Sequence, residues 1–378
     1  MKRFLALLAG KTTLKLSRFL RFGGGSAAPG LFALRLDPKL VKELASQIPT
    51  NIVITGTNGK TTTARMIAHF AKNQGLKVIR NHTGSNLERG IASTLIQNSN
   101  LHLKGANLNY DLGIWELDEA AFNIVAPKIQ PSIIIFLNIF RDQLDRYGEV
   151  DSVVKKWGET LKGLPKTTTI LVNGDDANTL GLKKYFKGKI QTFGVKDHKI
   201  LGESIEKRKT ISHNFEAKNI KLRGLNGSTF ELKTENLSDG PLYKINLPLP
   251  GIYHIYDAVA ALACISFFSN IPSSRGKPIY QHAKALKNFS PAFGRVEKFS
   301  LQPRGLNSGF ILLIKNPAGA TQVFETIAPE VKKNDKLLFA LNDNLADGTD
   351  ISWIWDANFE KLQTTNYKLF VQEQGHMI

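Results

Sequence analysis

Apolar and polar positions follow two textures along the chain. In the first, short runs of β-branched and aromatic residues alternate with longer amphipathic stretches. Ile52-Val53-Ile54, 77–81 (KVIRN), 110–116 (YDLGIWE) and 131–140 (PSIIIFLNIF) read as strands, the last of them buried on both faces. Lys60 to Gly75 reads as an amphipathic helix, and 82–97 (HTGSNLERGIASTLIQ) as a loop entering another. Strands alternating with helices predict an α/β fold: a parallel sheet with helices on both faces. Ligands of such sheets bind beyond the carboxyl ends of the strands. The loop at 56–61, the acids at 116–119 and the acids at 142–145 all fall on that edge.

The second texture begins near residue 170. ILVNGDD ends a strand, and QTFGV, HNFEAKNIKLRGLNGSTFELKT and PLYKINLPLPG follow as short alternating runs with glycine turns. They predict an antiparallel excursion over about 190–248. The run 253–269 (YHIYDAVAALACISFFS) is a long apolar helix, and FGRVEKF at 293–299 reads as a hinge. Beyond it lie a strand at 309–314, a loop NPAGA, a helix at 320–330, a strand at 337–341, an acidic loop and a last strand at 366–371. The chain thus divides into a basic helix and lead-in (1–45), a central domain (46–296) and a small carboxy-terminal domain (297–378).

Residues 1–21 carry Lys2, Arg3, Lys11, Lys15, Arg18 and Arg21, with Phe4, Leu5, Leu7, Leu8, Leu14, Leu16, Phe19 and Leu20 between them, and the first acid is Asp37. This is a basic amphipathic helix. A helix packed on the domain, a membrane-surface helix and an organelle transit peptide all share that pattern.

The 378 residues suffice for two domains, and a hydrophobic content of 42% is that of a globular protein. The net charge of +18 suits an acidic partner: nucleotide, nucleic acid or anionic membrane. No motif with interleaved aromatics favours nucleic acid. No apolar run reaches the roughly 18 residues of a membrane span. The single cysteine, Cys264, excludes an internal disulfide and a multi-cysteine zinc site, so no zinc is expected.

Chemistry concentrates at 51–63 (NIVITGTNGKTTT). A buried strand, a turn through Gly56-Thr57-Asn58-Gly59, then Lys60, Thr61 and Thr62 opening a helix are the parts of a phosphate-binding loop. Backbone N–H groups at the helix N-terminus hold phosphates, Lys60 neutralises charge and the Thr61 hydroxyl can ligate Mg²⁺. Ile54 stands where the standard spacing places its first glycine. An ordinary strand–turn–helix is the plain structural alternative.

The spelling TGTNGKTT resembles the ATP-binding loop of the Mur ligase family, which includes the folylpolyglutamate synthases. These enzymes activate a carboxylate as an acyl phosphate and attack it with an amine. The resemblance implies ATP contacts at Gly56 through Thr62 and a Mg²⁺ ligand at Glu116, although Asp118 and Glu119 also suit a helix-capping cluster. In the segment from Asn138 to Gly148, Gln143 stands where many members carry a metal-binding histidine. Its amide oxygen is the implied ligand, with Asp142 and Asp145 as alternatives. Trp157 falls where members often carry a carbamylated lysine, with Lys155 and Lys156 nearby. GIYHIYDAVAALA resembles the helix that contacts the nucleotide base, with His254 and Asp257 in place of asparagines. Arg295 matches the linker arginine that reaches towards the γ-phosphate. Ser85 to Gly90 resembles a substrate-side loop, with Asn86 as the contact.

KNPAGATQV at 315–323 and LNDNLADGTDISWIWDANFE at 341–360 are similar to the carboxy-terminal domain of the MurT family, the ligase-like subunits of lipid II isoglutaminyl synthase. RDQLDRYGEVD and PG…ALRLDP at 29–38 extend the likeness over most of 29–360. It implies ATP-dependent amidation of the D-glutamate α-carboxylate of lipid II, with ammonia supplied by a separate glutaminase subunit in a heterodimer. Lys60 would stabilise the transferring phosphoryl group. An aspartate of the last domain would complete the partner's Cys-His pair: Asp350 is the best match, and Asp343, Asp347 and Asp356 remain open. Trp353 and Trp355 beside it suit a protein interface. The place implied is the cytoplasm, at the inner face of a bacterial plasma membrane. MurT proteins typically carry a four-cysteine zinc ribbon, which the cysteine-free 200–240 stretch replaces. Members also continue past the last strand with another strand–helix stretch that 372–378 does not supply, so an incomplete sheet or a truncated sequence is expected. Two other readings stay open: a complete Mur-type amino-acid ligase, of folylpolyglutamate synthase or cyanophycin type, and a scaffold subunit that binds ATP without chemistry.

Overall fold

A computed structural model describes residues 2–19, 27–81, 85–102, 105–139, 149–196, 212–235, 242–268, 271, 279–290, 295–301, 306–314, 316–332, 335–340, 352–362, 368–373 and 376–377. Three helices lead in: α1 (Lys2–Phe19), α2 (Ala28–Leu36) and α3 (Leu40–Ala45). The first strand and helix are β1 (Thr50–Thr55) and α4 (Lys60–Asn73). They are followed by β2 (Val78–Arg80), α5 (Glu88–Asn98), the short hairpin β3 (Asn100–His102) and β4 (Gly105–Asn107), then β5 (Leu112–Leu117) and α6 (Glu119–Ile129). Next come β6 (Ile133–Phe136), α7 (Glu149–Lys162), β7 (Thr169–Asn173), α8 (Ala177–Gly181) and β8 (Lys189–Val195). Three more strands, β9 (Phe215–Leu222), β10 (Ser228–Thr234) and β11 (Tyr243–Leu247), precede α9 (Ile252–Ile265) and α10 (Ile279–Ala285).

All but the β3–β4 hairpin join one nine-stranded sheet in the order β11-β10-β9-β8-β7-β6-β1-β5-β2. From β2 through β9 every neighbouring pair is parallel. The chain places β2 and β5 on one side of β1 and then crosses to β6 on the other. The strand order therefore reverses at β1, and its carboxyl end opens a crevice between diverging connections.

Pleating sends alternate residues to opposite faces. Ile52 and Ile54 enter a core shared with α4, α9 and α10, while Val53 enters the opposite core beneath α3, α5, α6 and α7. The sequence of α9 is apolar almost all round because the helix is buried all round, from His254 to Ile265. Asn51 ties α3 to the sheet: its amide donates to the carbonyls of Ala45 and Ile48, and its oxygen accepts from the Trp115 indole at 2.8 Å.

The excursion expected to be antiparallel over 190–248 is so only in its second half. β8 pairs parallel with β7 and β9 parallel with β8, and the direction reverses at β10 and β11. Alternation of apolar and polar residues marks one-sided burial and is blind to strand direction.

The carboxy-terminal part contains β12 (Arg295–Leu301), β13 (Leu306–Leu312), α11 (Pro317–Ile327), β14 (Lys336–Ala340), β15 (Lys368–Glu373) and β16 (His376–Met377). β14 and β15 are parallel, β16 turns back antiparallel, and β12 and β13 form a separate antiparallel pair. The segment read as a hinge thus pairs as β12. The helix expected at 320–330 starts at Pro317, because proline fits the first turn and the Asn316 side chain caps the Gly319 N–H at 2.8 Å. Phe324, Phe339 and Phe359 stack at 4.9–5.4 Å in the core of this part. Trp353 belongs to that core, whereas Trp355 is 84% exposed.

Cys264 lies fully buried in α9, and burial alone pushes its thiol well above the ordinary range. A disulfide reagent at mildly alkaline pH should leave the folded chain unlabelled and react fully once denaturant is added. Rapid labelling of the native protein would show that α9 opens.

Candidate functional site

The carboxyl end of β1 runs into Gly56-Thr57-Asn58-Gly59, and α4 starts directly at Lys60. Gly59 has φ of 89°, the left-handed region that glycine enters without strain. A Cβ there would also come within 2.2 Å of Asp257 Oδ1. Both facts require glycine, and the second shows how closely the backbone of the loop approaches α9. The first turn of α4 opens directly from this loop, which places the positive end of the helix dipole at the loop. Thr57 and Thr62 are buried in its walls.

Asn138, just past β6, staples the loop. Its carbonyl accepts from Thr57 N at 3.1 Å, its side-chain oxygen accepts from Asn58 N at 2.8 Å, and its amide donates to Asn58 O at 3.1 Å. Lys60 folds back over the same turn, donating from Nζ to the carbonyls of Gly56 and of Thr57, the latter at 3.1 Å. The ammonium is thereby held at the mouth of the loop.

Thr61 Oγ1 donates to Glu116 Oε2 at 2.6 Å. Glu116, on β5, is only 2% exposed. Its backbone is locked to Asn81 by two reciprocal bonds of 2.9 Å, and Arg80 Nη1 lies 3.7 Å from its other oxygen. Burial pushes the Arg80 guanidinium down from its usual range, the Glu116 charge pulls it back up, and Arg65 adds to the lowering. A buried carboxylate without such partners would be costly. Hydroxyl and carboxylate together make a pair of hard oxygen donors at the end of a phosphate-type loop, the donor type Mg²⁺ selects. Among the described residues no cluster of three or more His, Cys, Asp or Glu could hold a metal ion.

The structure brings several further residues of the sequence reading to this edge. Asn86 accepts from Asp118 N at 3.2 Å through its carbonyl and from Asn81 Nδ2 at 3.4 Å through its side chain, so its loop is tied to Glu116. Asp257 lies beneath the loop, against Gly59, and accepts from Thr63 Oγ1 at 3.3 Å. His254, one turn earlier on α9, is buried and donates from Nδ1 to Pro250 O at 2.7 Å. Arg295 opens β12, and its side chain lies outside what the structure describes. Gln143, Asp142 and Asp145 fall in 140–148, and Asp350, Asp343 and Asp347 in 341–351, both outside the described residues. Asp356 is exposed at the end of a short 3₁₀ turn.

Trp157 is a core residue. Its indole donates to Glu119 O at 2.9 Å and its ring packs on Phe122 and Phe136, while Lys155 and Lys156 are exposed. Four residues of the site carried no individual signal in the sequence: Asn138, Asn81, Arg80 and Asn316. Asn316, at the start of α11, exchanges amide bonds of 3.0 and 3.3 Å with Asn58, joining the carboxy-terminal part to the loop. Only the position of the first three at carboxyl ends of strands could have marked them.

Residues 54–265 match the family described as Mur ligase middle domain, and residues 313–375 match that described as MurT ligase C-terminal. The chain is 34% identical over 393 residues to the MurT subunit of the glutamine-hydrolyzing lipid II isoglutaminyl synthase of Streptococcus pneumoniae, an alignment covering 96% of this chain and 82% of that one. Among solved structures it resembles MurF of Thermotoga maritima in complex with ADP (TM-score 0.65, 14% identity, 90% of this chain and 70% of that one). It also resembles MurF of Acinetobacter baumannii (TM-score 0.62, 18% identity), covering 86% of this chain and spanning 62% of that longer one. The chain therefore belongs to the Mur ligase family, in its MurT branch.

Asn138→Ala removes both side-chain bonds to Asn58. At about 1 kcal/mol net per bond, amide exchange in the peptide spanning 55–62 should accelerate about thirtyfold. Unchanged protection there would show that the loop holds its shape without the staple.

Proposed function

We propose that this chain is the ATP-using subunit of an amidoligase that converts the D-glutamate α-carboxylate of lipid II to the amide. The observation that carries the reading is the Thr61–Glu116 pair, 2.6 Å apart beside a glycine loop that already holds Lys60 at its mouth. Such a loop suits the phosphates of ATP, which transfers its terminal phosphoryl group to the carboxylate. Ammonia then adds to the acyl phosphate, phosphate leaves, and the amide remains. There is little covalent chemistry for the protein to do in such a transfer, so positioning and charge stabilisation carry it. The N–H groups of the first turn of α4 and the Lys60 ammonium meet the negative charge. Thr61 and Glu116 fit Mg²⁺, which neutralises phosphate charge when bound, and Gln143 is proposed as a further oxygen ligand. Asp257 and His254 are assigned to the base-binding side, Arg295 to the γ-phosphate and Asn86 to the acceptor.

Ammonia is proposed to come from a glutaminase partner in a heterodimer, since the relatives are named as subunits of a glutamine-hydrolyzing enzyme. Asp350 is assigned to orient the partner's histidine, in the way a third group fixes the imidazole of a catalytic triad. The domain limits proposed are 1–45, 46–296 and 297–378, the last docking the glutaminase. No described helix is long and apolar enough to cross a membrane. The lipid tail of the substrate nonetheless places the reaction at the inner face of the plasma membrane.

The test is a reconstituted assay of the chain co-purified with its glutaminase, given ATP, Mg²⁺, glutamine and lipid II, with the amide read by mass spectrometry. Lys60→Ala should slow amidation by about a hundredfold or more, from any nitrogen source. Asp350→Asn should lose glutamine-dependent amidation and recover it with free ammonia. Absence of amide from the unaltered pair, even with free ammonia, would sink the ligase reading in favour of an ATP-binding scaffold.

A further inference from the structure

The first two helices are apolar on both sides. On the inner side, Ala6 and Leu7 of α1 are fully buried, and a Cβ on Gly10 would come within 2.8 Å of Ile96 on α5. α2 lies against the same helix: Gly30 N donates to Ser93 Oγ at 2.8 Å, and a Cβ on Gly30 would come within 1.9 Å of Arg89 O. These contacts seat the pair on the domain and fix which way the other side points.

On that other side stand Leu5, Leu8, Leu16 and Phe19 of α1, the last two 58% and 83% exposed. Their spacing of three, eight and three residues puts all four, with Thr12 between, on one stripe of a helix with 3.6 residues per turn. The exposed Lys2 and Lys15 border the stripe. Leu31, Phe32 and Leu36 of α2 are also exposed, with the Arg35 guanidinium 5.8 Å over the Phe32 ring. An outward face of this kind is not needed by the fold, and isolated soluble domains seldom expose so contiguous a patch.

We propose that the outer face of α1 and α2 is a membrane-docking surface that lies on anionic lipid, with Leu16 and Phe19 entering the headgroup region. Charge selects this occupant. Residues 1–36 contain seven Lys or Arg and no Asp or Glu. Lysines bordering an apolar stripe fit a phosphate-rich bilayer surface, with the apolar side chains below and the ammonium groups among the headgroups. Protein interfaces are instead depleted in lysine, and a second copy would bring another net charge of +18 against the same face. The inference rests on the proposed function only for what docking achieves. The inner side of α2 touches Arg89, three residues along the chain from Asn86 of the loop assigned to the acceptor.

The test is flotation of the full chain with vesicles of phosphatidylglycerol and phosphatidylethanolamine, and with vesicles of phosphatidylcholine alone. The chain should float with the first, poorly with the second, and less as salt rises. Leu16→Glu/Phe19→Glu, and separately Leu31→Glu/Leu36→Glu, should each reduce flotation about tenfold with an unchanged melting temperature. Failure of the unaltered chain to float with anionic vesicles overturns the proposal. So does equal flotation of both variants, or a variant that dissociates a dimer while floating as before. Amidation of detergent-solubilised lipid II by the same unaltered and variant chains, each given ATP, Mg²⁺ and free ammonia, separates the two readings. Amidation without flotation defeats the docking surface alone, whereas flotation without amidation supports the docking surface and defeats the ligase.

Discussion

Glu116 carries a carboxylate into the interior of a parallel sheet, and the surrounding structure is built to make that tolerable. The Thr61 hydroxyl takes one oxygen, the Arg80 guanidinium stands near the other, and Asn81 locks the backbone on both sides. Removing a charge from water costs several kcal/mol unless such partners replace the lost hydration. The same arrangement brings three structural features to one point: the first turn of α4, the loop that follows β2 and the end of β5. Their adjacency comes from the strand order, in which β1 and β2 both pair with β5. A charge that would otherwise destabilise the fold is therefore also the charge proposed to meet the metal ion.

The glycine loop is held from three directions. Asn138 fixes its backbone from β6, Asp257 supports Gly59 from α9, and Asn316 reaches Asn58 from the start of α11. A preorganised cradle of N–H groups spends less ordering free energy when an anion binds than a loose turn would. The contact through Asn316 adds something different, since it makes the shape of the loop depend on where the carboxy-terminal part sits. The first two lead-in helices, α1 and α2, extend the organisation outward. Their inner faces complete the core beneath α5, and their outer faces carry apolar and basic side chains that no part of the described fold covers.

The sequence by itself determined a great deal. Runs such as Ile52-Val53-Ile54 and Ile133–Phe136 are β-branched and apolar because strands buried on both faces select such residues, and they mark a parallel sheet without reference to anything distant. Gly59-Lys60-Thr61 announces its chemistry because backbone conformation, charge and hydroxyl are all local properties. The spellings at 55–62 and 315–323 are specific enough to lead to the family. Tertiary structure alone decided which amides and charges close the site. Asn138 and Asn58 are eighty residues apart, and nothing local distinguishes an asparagine that staples a loop from one that ends a strand. Trp157 and the direction of β8 and β9 were settled in the same way, by what packs or pairs alongside. Periodicity reports how many faces of an element are buried, and it does not report which neighbour buries them.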